Sequence, residues 1–164
     1  MGPLLRRAFD RLAAAVRVAV VVLALAMLAA LSLQVFMRFV VGQSLSWSEE
    51  LALACFSWSM LLGIALGVRE AIHVRMDLLA DRLPPPLRHA LDRLVACATA
   101  GVGAFVAWAG AGYVADSLGT TSAAIGYPIA FLYACAPACG GLVALFALEV
   151  AVLGPAPKAP AAAD

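Results

Sequence analysis

Charged residues divide the chain into long uncharged stretches. Residues 18–37, 51–68 and 94–115 carry no formal charge and count 20, 18 and 22 residues. At about 1.5 Å of rise per residue, helices of this length cover roughly the 30 Å of a bilayer's hydrocarbon core. A fourth stretch, residues 117–148, starts with a polar, glycine-containing part, so we expect a loop and then a helix starting near Pro128. The pattern predicts four spanning helices, over about 18–37, 51–68, 94–115 and 128–150.

Composition supports the same class of protein. Hydrophobic residues make up 65% of the chain, charged residues only 13%, and the mean hydropathy is +0.99. These values lie far from those of soluble domains. We therefore expect an all-α integral membrane protein with one four-helix domain over residues 1–153. The first span is too long for a signal-peptide core and is interpreted as an uncleaved anchor. The proline- and alanine-rich tail, residues 154–164, is expected to be disordered.

The basic residues are distributed unevenly between the two sides of the predicted bundle. Ten of the eleven lie in the two tails and in the connection between spans two and three, and Arg38 alone lies on the other side. Short basic segments stay in the cytoplasm. Both termini are therefore predicted to be cytoplasmic, with residues 38–50 and 116–127 outside. The net charge of +1 gives no indication of a nucleic-acid partner.

The connection between spans two and three has a helical pattern of its own. Apolar side chains recur on one helix face, at Ile72, Met76, Leu79 and Leu83. Charged residues lie mostly on other faces, and three prolines at 84–86 end the pattern. This predicts an amphipathic helix over about 70–83 that lies in the membrane interface. His73 is interpreted as a structural residue of this helix rather than a metal ligand.

Two adjacent acids precede the second span. Glu49 and Glu50 fall in its first turn, where the helix dipole favours negative charge. Ser46 and Glu49 have the spacing of a capping box, with Ser48 as a competing cap. Adjacent helical side chains point about 100° apart, which argues against a catalytic pair. One acid suffices for capping, so the other is a candidate for docking to a partner subunit, beside Trp47 at headgroup depth.

Ionisable residues are absent from the middle of all four predicted spans. Carriers and pumps usually place such residues there to bind ions or substrate, so this chain is poorly equipped to move a charged solute alone. The leading hypothesis is an accessory transporter subunit, with no enzymatic activity, cofactor or metal. A self-sufficient small oligomeric carrier or channel is an alternative. A membrane-embedded thiol oxidoreductase using Cys135 and Cys139 is another, against the simpler interpretation that these thiols only pack.

Small residues and a proline within the spans suggest how the helices pack. Gly63 and Gly67 form a small-xxx-small pair in span two, and span three has glycines of its own. Such positions allow close contact between helix backbones in membranes. Some of the span-three glycines are expected at helix contacts, and the Gly63/Gly67 pair is a candidate for association with a partner. Pro137 is expected to kink span four.

Several short motifs together resemble the small membrane subunit of tripartite ATP-independent periplasmic (TRAP) transporters, the DctQ-like family. The similarity runs over about residues 15–150. It is carried by Trp47-Ser48-Glu49-Glu50, Gly63, the R-x-x-x-H-x-R-x-D pattern of Arg69, His73, Arg75 and Asp77, Leu83-Pro84, Gly126-Tyr127-Pro128, Tyr133, Pro137 and Gly140. The family often has glycine where Ala71 stands and proline where Ala123 stands, and neither departure removes a charged group.

The resemblance implies a division of labour between three proteins. A large TRAP membrane subunit would hold the substrate and sodium sites, and a periplasmic solute-binding protein would capture an organic acid. The small subunit would brace the large one in a bacterial or archaeal inner membrane. Trp47, Glu49 and Glu50 would then lie on the periplasmic face near subunit contacts. On the cytoplasmic side, the helix of residues 70–83 would be organised by Arg69, His73, Arg75 and Asp77.

Overall fold

The computed structural model describes residues 2–43, 45–70 and 85–153, which are helical apart from the connections. The first helix, α1, spans Gly2–Phe36 and continues as a π-helical turn over Met37–Val41. Helix α2 spans Ser46–Arg69, α3 spans Pro85–Asp116, α4 spans Ile129–Tyr133 and α5 spans Cys135–Leu153. Among the described residues, four stretches are long and apolar enough to cross a membrane: Leu5–Val41, Ser46–Arg69, Ala90–Asp116 and Ile129–Val152. The predicted all-α fold with four spans is confirmed.

The helices are longer than the uncharged stretches that predict them. Helix α1 has 35 residues, or roughly 50 Å at 1.5 Å each, and so extends past a 30 Å hydrocarbon core at its N-terminal part. It ends at Gly42, whose positive φ of 75° suits glycine, and whose N–H donates to the Met37 carbonyl. The predicted interfacial helix over 70–83 lies outside the described residues except for Glu70, as does the tail 154–164.

The spans pack side by side in an order that differs from their order in the chain. Helix α2 packs against α1 on one side and α5 on the other, and α3 packs chiefly against α5. The order across the described bundle is therefore α1, α2, α5, α3. We call the end where α1 begins and α2 and α5 finish the terminal end, and the opposite end the loop end. A buried cluster joins α1, α2 and α5, and contains Ala13, Val16, Leu62, Ala65, Leu66, Cys139, Val143 and Phe146.

Helices α3 and α5 approach each other closely at glycines. A Cβ atom added to Gly103 would lie 2.7 Å from the Ala144 backbone nitrogen, and one added to Gly140 would lie 2.5 Å from that of Ala107. Real side chains do not occupy such positions, so any larger residue would separate the helices. The expectation that glycines of the third span lie at helix contacts is confirmed.

The fourth span consists of two helices with an interruption at Ala134. Pro128 has an extended backbone and directly precedes the first residue of α4. Pro137, in the first turn of α5, has no N–H to donate to the carbonyl four residues earlier, that of Tyr133. The break therefore falls one turn before the proline at which the sequence predicts a kink. Pro137 also packs onto α3, because a Cβ added to Gly110 would lie 2.8 Å from its Cδ.

Candidate functional site

A buried ionic cluster closes the terminal end. The Arg69 guanidinium, on the last residue of α2, donates from Nε to Glu149 Oε2 at 2.9 Å and from Nη2 to Glu149 Oε1 at 3.1 Å. Arg69 Nη2 also donates to Asp10 Oδ1 of α1 at 2.5 Å. Arg69 is 8% exposed and Glu149 6% exposed, whereas the Asp10 side chain is 64% exposed. One arginine therefore ties together the ends of three helices.

Two further contacts surround this cluster. The Arg69 guanidinium carbon lies 5.7 Å from the ring centroid of Phe146, whose side chain is fully buried. This distance suits a cation–π interaction. Arg17 Nη2 pairs with Glu70 Oε1 at 2.6 Å, but both side chains are largely exposed. The second pair is of the surface type that contributes little to stability.

At the loop end, Glu50 holds the connection between α3 and α4. Its carboxylate accepts hydrogen bonds from the backbone N–H groups of Ala124 at 3.0 Å and Ile125 at 3.1 Å. It also accepts a short hydrogen bond from the Ser122 hydroxyl. The connection folds back on itself because Ser122 N–H donates to the Tyr127 carbonyl at 2.9 Å. The first turn of α2 thereby fixes the shape of this loop.

Tyr127 lies close enough to Glu50 for the carboxylate to affect its phenol. The backbone of Gly126, next to this tyrosine, has a φ of 74°, which glycine adopts readily. Burial, followed by the nearby Glu50 carboxylate, raises the pKa of the Tyr127 phenol. The phenol therefore stays neutral beside the carboxylate.

Glu49 has a different partner from its neighbour. Its carboxylate accepts a hydrogen bond of 2.7 Å from Gln34 Nε2 of α1. The expected capping box is wrong, because the residue that precedes the helix is Leu45, which makes no side-chain cap, and Ser46 is already helical. Ser48 does not cap the helix either: its hydroxyl is buried and donates to the Leu45 carbonyl at 2.7 Å. The two acids thus fasten α2 to α1 and to the loop after α3.

Other residues singled out from the sequence occupy varied positions. Trp47 is 40% exposed at the loop end. A Cβ added to Gly63 would meet no atom of the described structure within 4 Å, whereas Gly67 is buried in the bundle. This glycine pair therefore does not form one open face. His73, Arg75 and Asp77 lie outside the described residues.

The cysteines are free thiols. Cys55, Cys135 and Cys139 are buried, and Cys97 is exposed. The Cys139 thiol donates to the Leu61 carbonyl of α2 at 3.0 Å, which joins α5 to α2. Trp58 makes a comparable link to α4, since its Nε1–H donates to the Phe131 carbonyl at 3.2 Å. These are packing contacts between helices.

The sequence indicates Arg69, Glu49 and Glu50 as candidate residues but does not indicate their partners. The partners lie far from these three residues in the chain: they are Asp10, Gln34, Ser122 and Glu149. One signal was available for Glu149: it is an acid directly after a long uncharged stretch, on the side where α2 ends with Arg69. Residues 18–37, 51–68, 94–115 and 129–148 contain no formal charge. Paired charges at the helix ends and uncharged spans between them define an integral membrane protein braced from its two ends.

Comparison with known proteins identifies the family. Residues 27–154 match the family described as "Tripartite ATP-independent periplasmic transporters, DctQ component". The chain belongs to this family, and so is a small membrane subunit of a TRAP transporter in the inner membrane, not an enzyme. The resemblance seen in the motifs is confirmed, and the thiol oxidoreductase alternative is wrong.

Individual relatives agree with this assignment. The C4-dicarboxylate TRAP transporter small permease protein DctQ of Rhodobacter capsulatus is 34% identical over 112 residues, 67% of this chain and 49% of that protein. The sialic acid TRAP transporter small permease protein SiaQ of Vibrio cholerae is 35% identical over 66 residues, 40% of this chain and 38% of that protein. The sialic acid TRAP transporter permease protein SiaT of Haemophilus influenzae is 40% identical over 55 residues, 34% of this chain and 9% of that protein. The match to the first relative covers about half of that protein's length.

Proposed function

We propose that the chain is the bracing subunit of a sodium-coupled transporter that imports an organic acid, together with a large membrane subunit and a periplasmic solute-binding protein. The observation that carries this proposal is where the charged side chains lie and what they bind. The charged side chains at the ends of α2 are bound to other parts of the same chain, and the middle of each span has no charge. A subunit built in this way supports a carrier without binding a charged solute itself.

The match to SiaT supports association with a larger permease. The matched 55 residues are only 9% of that protein, so most of that permease lies outside the similar segment. A segment like this one therefore occurs within a much larger permease chain. In the present protein, the corresponding association would be between separate subunits.

The proposed arrangement has both termini in the cytoplasm and the loop end in the periplasm. The asymmetry of basic residues supports this orientation. Trp47, at the loop end and 40% exposed, is a candidate contact with the partners. Gly63 is a second candidate, because the space beside it is open and a partner helix could approach its backbone.

Reconstitution tests the proposal. The chain in liposomes is expected to show no uptake of an organic acid such as a C4-dicarboxylate or sialic acid, with or without a sodium gradient. With its large subunit and the solute-binding protein, sodium-dependent uptake is expected for the solute which that binding protein captures. Uptake by the chain alone would refute the bracing role, and uptake that ignores sodium would refute the coupling.

Association can be tested separately from uptake. Gly63→Leu is expected to reduce co-purification with the large subunit, because the leucine fills the space that a partner helix would use. Gly63→Ala is the matched control, since a single methyl group at the same position leaves most of the open space beside it, and it is expected to co-purify like the wild type. Equal co-purification of the wild type and Gly63→Leu would exclude Gly63 from the interface.

A further inference from the structure

A groove and a cleft adjoin each other at the outer side of α3. The groove encloses about 350 Å³ between α3 and the helices of the fourth span, and its walls are almost entirely carbon. Phe105 and Ala109 of α3 line it, together with Tyr113 and Tyr133. The cleft encloses about 380 Å³ at the loop end and is lined by the same two tyrosines and by polar residues. The two spaces therefore lie next to each other, with the two tyrosines in the walls of both.

The polar residues of the cleft offer hydrogen-bond acceptors. Asp116 contributes its carboxylate. The Ser117 hydroxyl donates its proton to the Tyr113 carbonyl at 2.7 Å, and the Thr120 hydroxyl donates to the Ser117 carbonyl at 2.6 Å. Both hydroxyl protons are thus used, and only the oxygen lone pairs remain for a ligand. A group that only donates hydrogen bonds, such as an ammonium, fits this set.

Asp116 strengthens the preference for a cation. It is the last residue of α3, where the helix dipole disfavours negative charge, and it makes no hydrogen bond or ion pair with any other described residue. The basic residue at the loop end of the described bundle is Arg38, in the π-helical turn that continues α1, and α2 and α5 lie between α1 and α3. The carboxylate, which is exposed, is therefore available to a cation from outside the chain.

Two aromatic rings stand where the groove meets the cleft. Tyr113 and Tyr133 meet edge to face, with their ring centroids 5.0 Å apart. Aromatic faces attract cations, and tyrosines are favoured at the headgroup level of a membrane. A ligand that crosses this boundary has a cationic head and an apolar tail.

We propose that this site binds phosphatidylethanolamine, with the primary ammonium at Asp116 in the cleft and one acyl chain in the groove. A small soluble amine would fill only the cleft. Phosphatidylcholine carries a cation without N–H donors, and phosphatidylglycerol has no cation. The ammonium of phosphatidylethanolamine matches the acceptors, and its acyl chain matches the apolar walls. Its anionic phosphate lies between the two and needs hydrogen-bond donors, which the hydroxyls of Tyr113 and Tyr133, in the walls of both spaces, can supply.

Native mass spectrometry of the full chain in detergent tests the site. The chain is titrated with phosphatidylethanolamine, phosphatidylcholine and phosphatidylglycerol of the same acyl composition. Phosphatidylethanolamine is expected to bind tightest, and Asp116→Asn is expected to weaken its binding roughly tenfold, the typical effect of losing a charged hydrogen bond. Asp92→Asn is the matched control: it removes the same charge from the exposed surface of α3, far from the cleft, and leaves binding unchanged.

A second pair of variants tests the groove. Ala109→Phe places a ring in the groove and is expected to weaken phosphatidylethanolamine binding at least several-fold. Ala104→Phe adds the same ring to an exposed position of α3 that does not line the groove, and binding is expected to be unchanged. Circular dichroism of each variant in the same detergent checks that the helices are retained.

Three results would overturn the proposal. The first is equal binding of phosphatidylethanolamine and phosphatidylglycerol by the wild type. The second is unaltered binding of phosphatidylethanolamine by Asp116→Asn. The third is loss of co-purification with the large subunit in Asp116→Asn without any change in lipid binding. The last result would assign Asp116 to a protein partner. The first two results are measured on this chain alone, so they do not depend on whether the proposed transport function is correct, whereas the third also requires the large subunit.

Discussion

Replacement of Arg69 by methionine tests whether the buried cluster braces the terminal end. The arginine is 8% exposed and binds both oxygens of Glu149, which is itself 6% exposed. Methionine retains most of the apolar stem and removes the charge. Glu149 would then keep a negative charge in a buried position without its partner, and Asp10 would lose its contact with α2.

The two lost contacts differ in how much they contribute to the free energy of unfolding. Removing one partner of a buried ion pair costs about 3–5 kcal/mol, because the remaining charge is left uncompensated. The contact with Asp10 contributes at most about 1 kcal/mol, since the Asp10 side chain is 64% exposed and regains water. We expect Arg69→Met to lower the free energy of unfolding by about 3–5 kcal/mol, mostly through Glu149.

A double-mutant cycle measures this coupling. Arg69→Met, Glu149→Leu and the double variant are unfolded in mixed micelles of mild detergent and dodecyl sulfate, with helix content followed by circular dichroism. The double variant is expected to lose less than about 2 kcal/mol, because no buried charge remains in it. Arg17→Gln is the control on the exposed pair with Glu70 and should cost less than about 1 kcal/mol. If the effects of the Arg69 and Glu149 substitutions add within about 0.5 kcal/mol, the pair is not coupled and the reasoning fails.

The remaining predictions concern the loop end and the α3–α5 contact. Glu50→Gln is expected to speed hydrogen exchange at the amides of Ala124 and Ile125 roughly tenfold, because a neutral amide accepts hydrogen bonds more weakly than a carboxylate. Unchanged exchange would show that Glu50 does not hold the loop between α3 and α4. Gly140→Leu is expected to separate α3 from α5 and lower the detergent melting temperature, whereas Gly112→Leu, with open space at its Cβ position, should leave it unchanged; equal melting temperatures would refute the close contact.

The four spans could be predicted from the sequence because a membrane requires a minimum apolar length. Uncharged stretches of 18 to 22 residues are about as long as a helix that crosses the hydrocarbon core, so they can be recognised in the sequence. The order of the helices in the bundle could not be obtained in this way. It depends on which surfaces fit together, and in a membrane lipid tails are as apolar as the side chains themselves, so hydropathy does not distinguish the contact faces.

The glycines illustrate the same limit. Gly63 and Gly67 have the spacing of a packing motif, yet Gly63 has open space beside it and Gly67 is buried. The close contact is made instead by Gly103 and Gly140, on helices that are separated in the chain by a long loop. Spacing within one helix does not specify what lies opposite, and only the partner helix decides whether a small residue is needed.

The adjacent acids show what local chemistry can and cannot establish. Because neighbouring helical side chains point about 100° apart, Glu49 and Glu50 were expected to act separately. In the structure they bind Gln34 of α1 and the loop around Ser122. The separation was predictable from helix geometry. The partners were not, since they depend on how α1 and the loop after α3 pack around α2.

Helix α2 binds α1, α4, α5 and the loop after α3. Its ends bind α1 through Glu49, the loop after α3 through Glu50, and both α1 and α5 through Arg69. Its middle binds α4 through Trp58. Apolar contact gives little preference for one helix neighbour over another in lipid, so directional polar contacts at the two ends fix the relative positions of the spans. Such contacts between separate helices favour a rigid bundle, which is the property that the proposed bracing role requires.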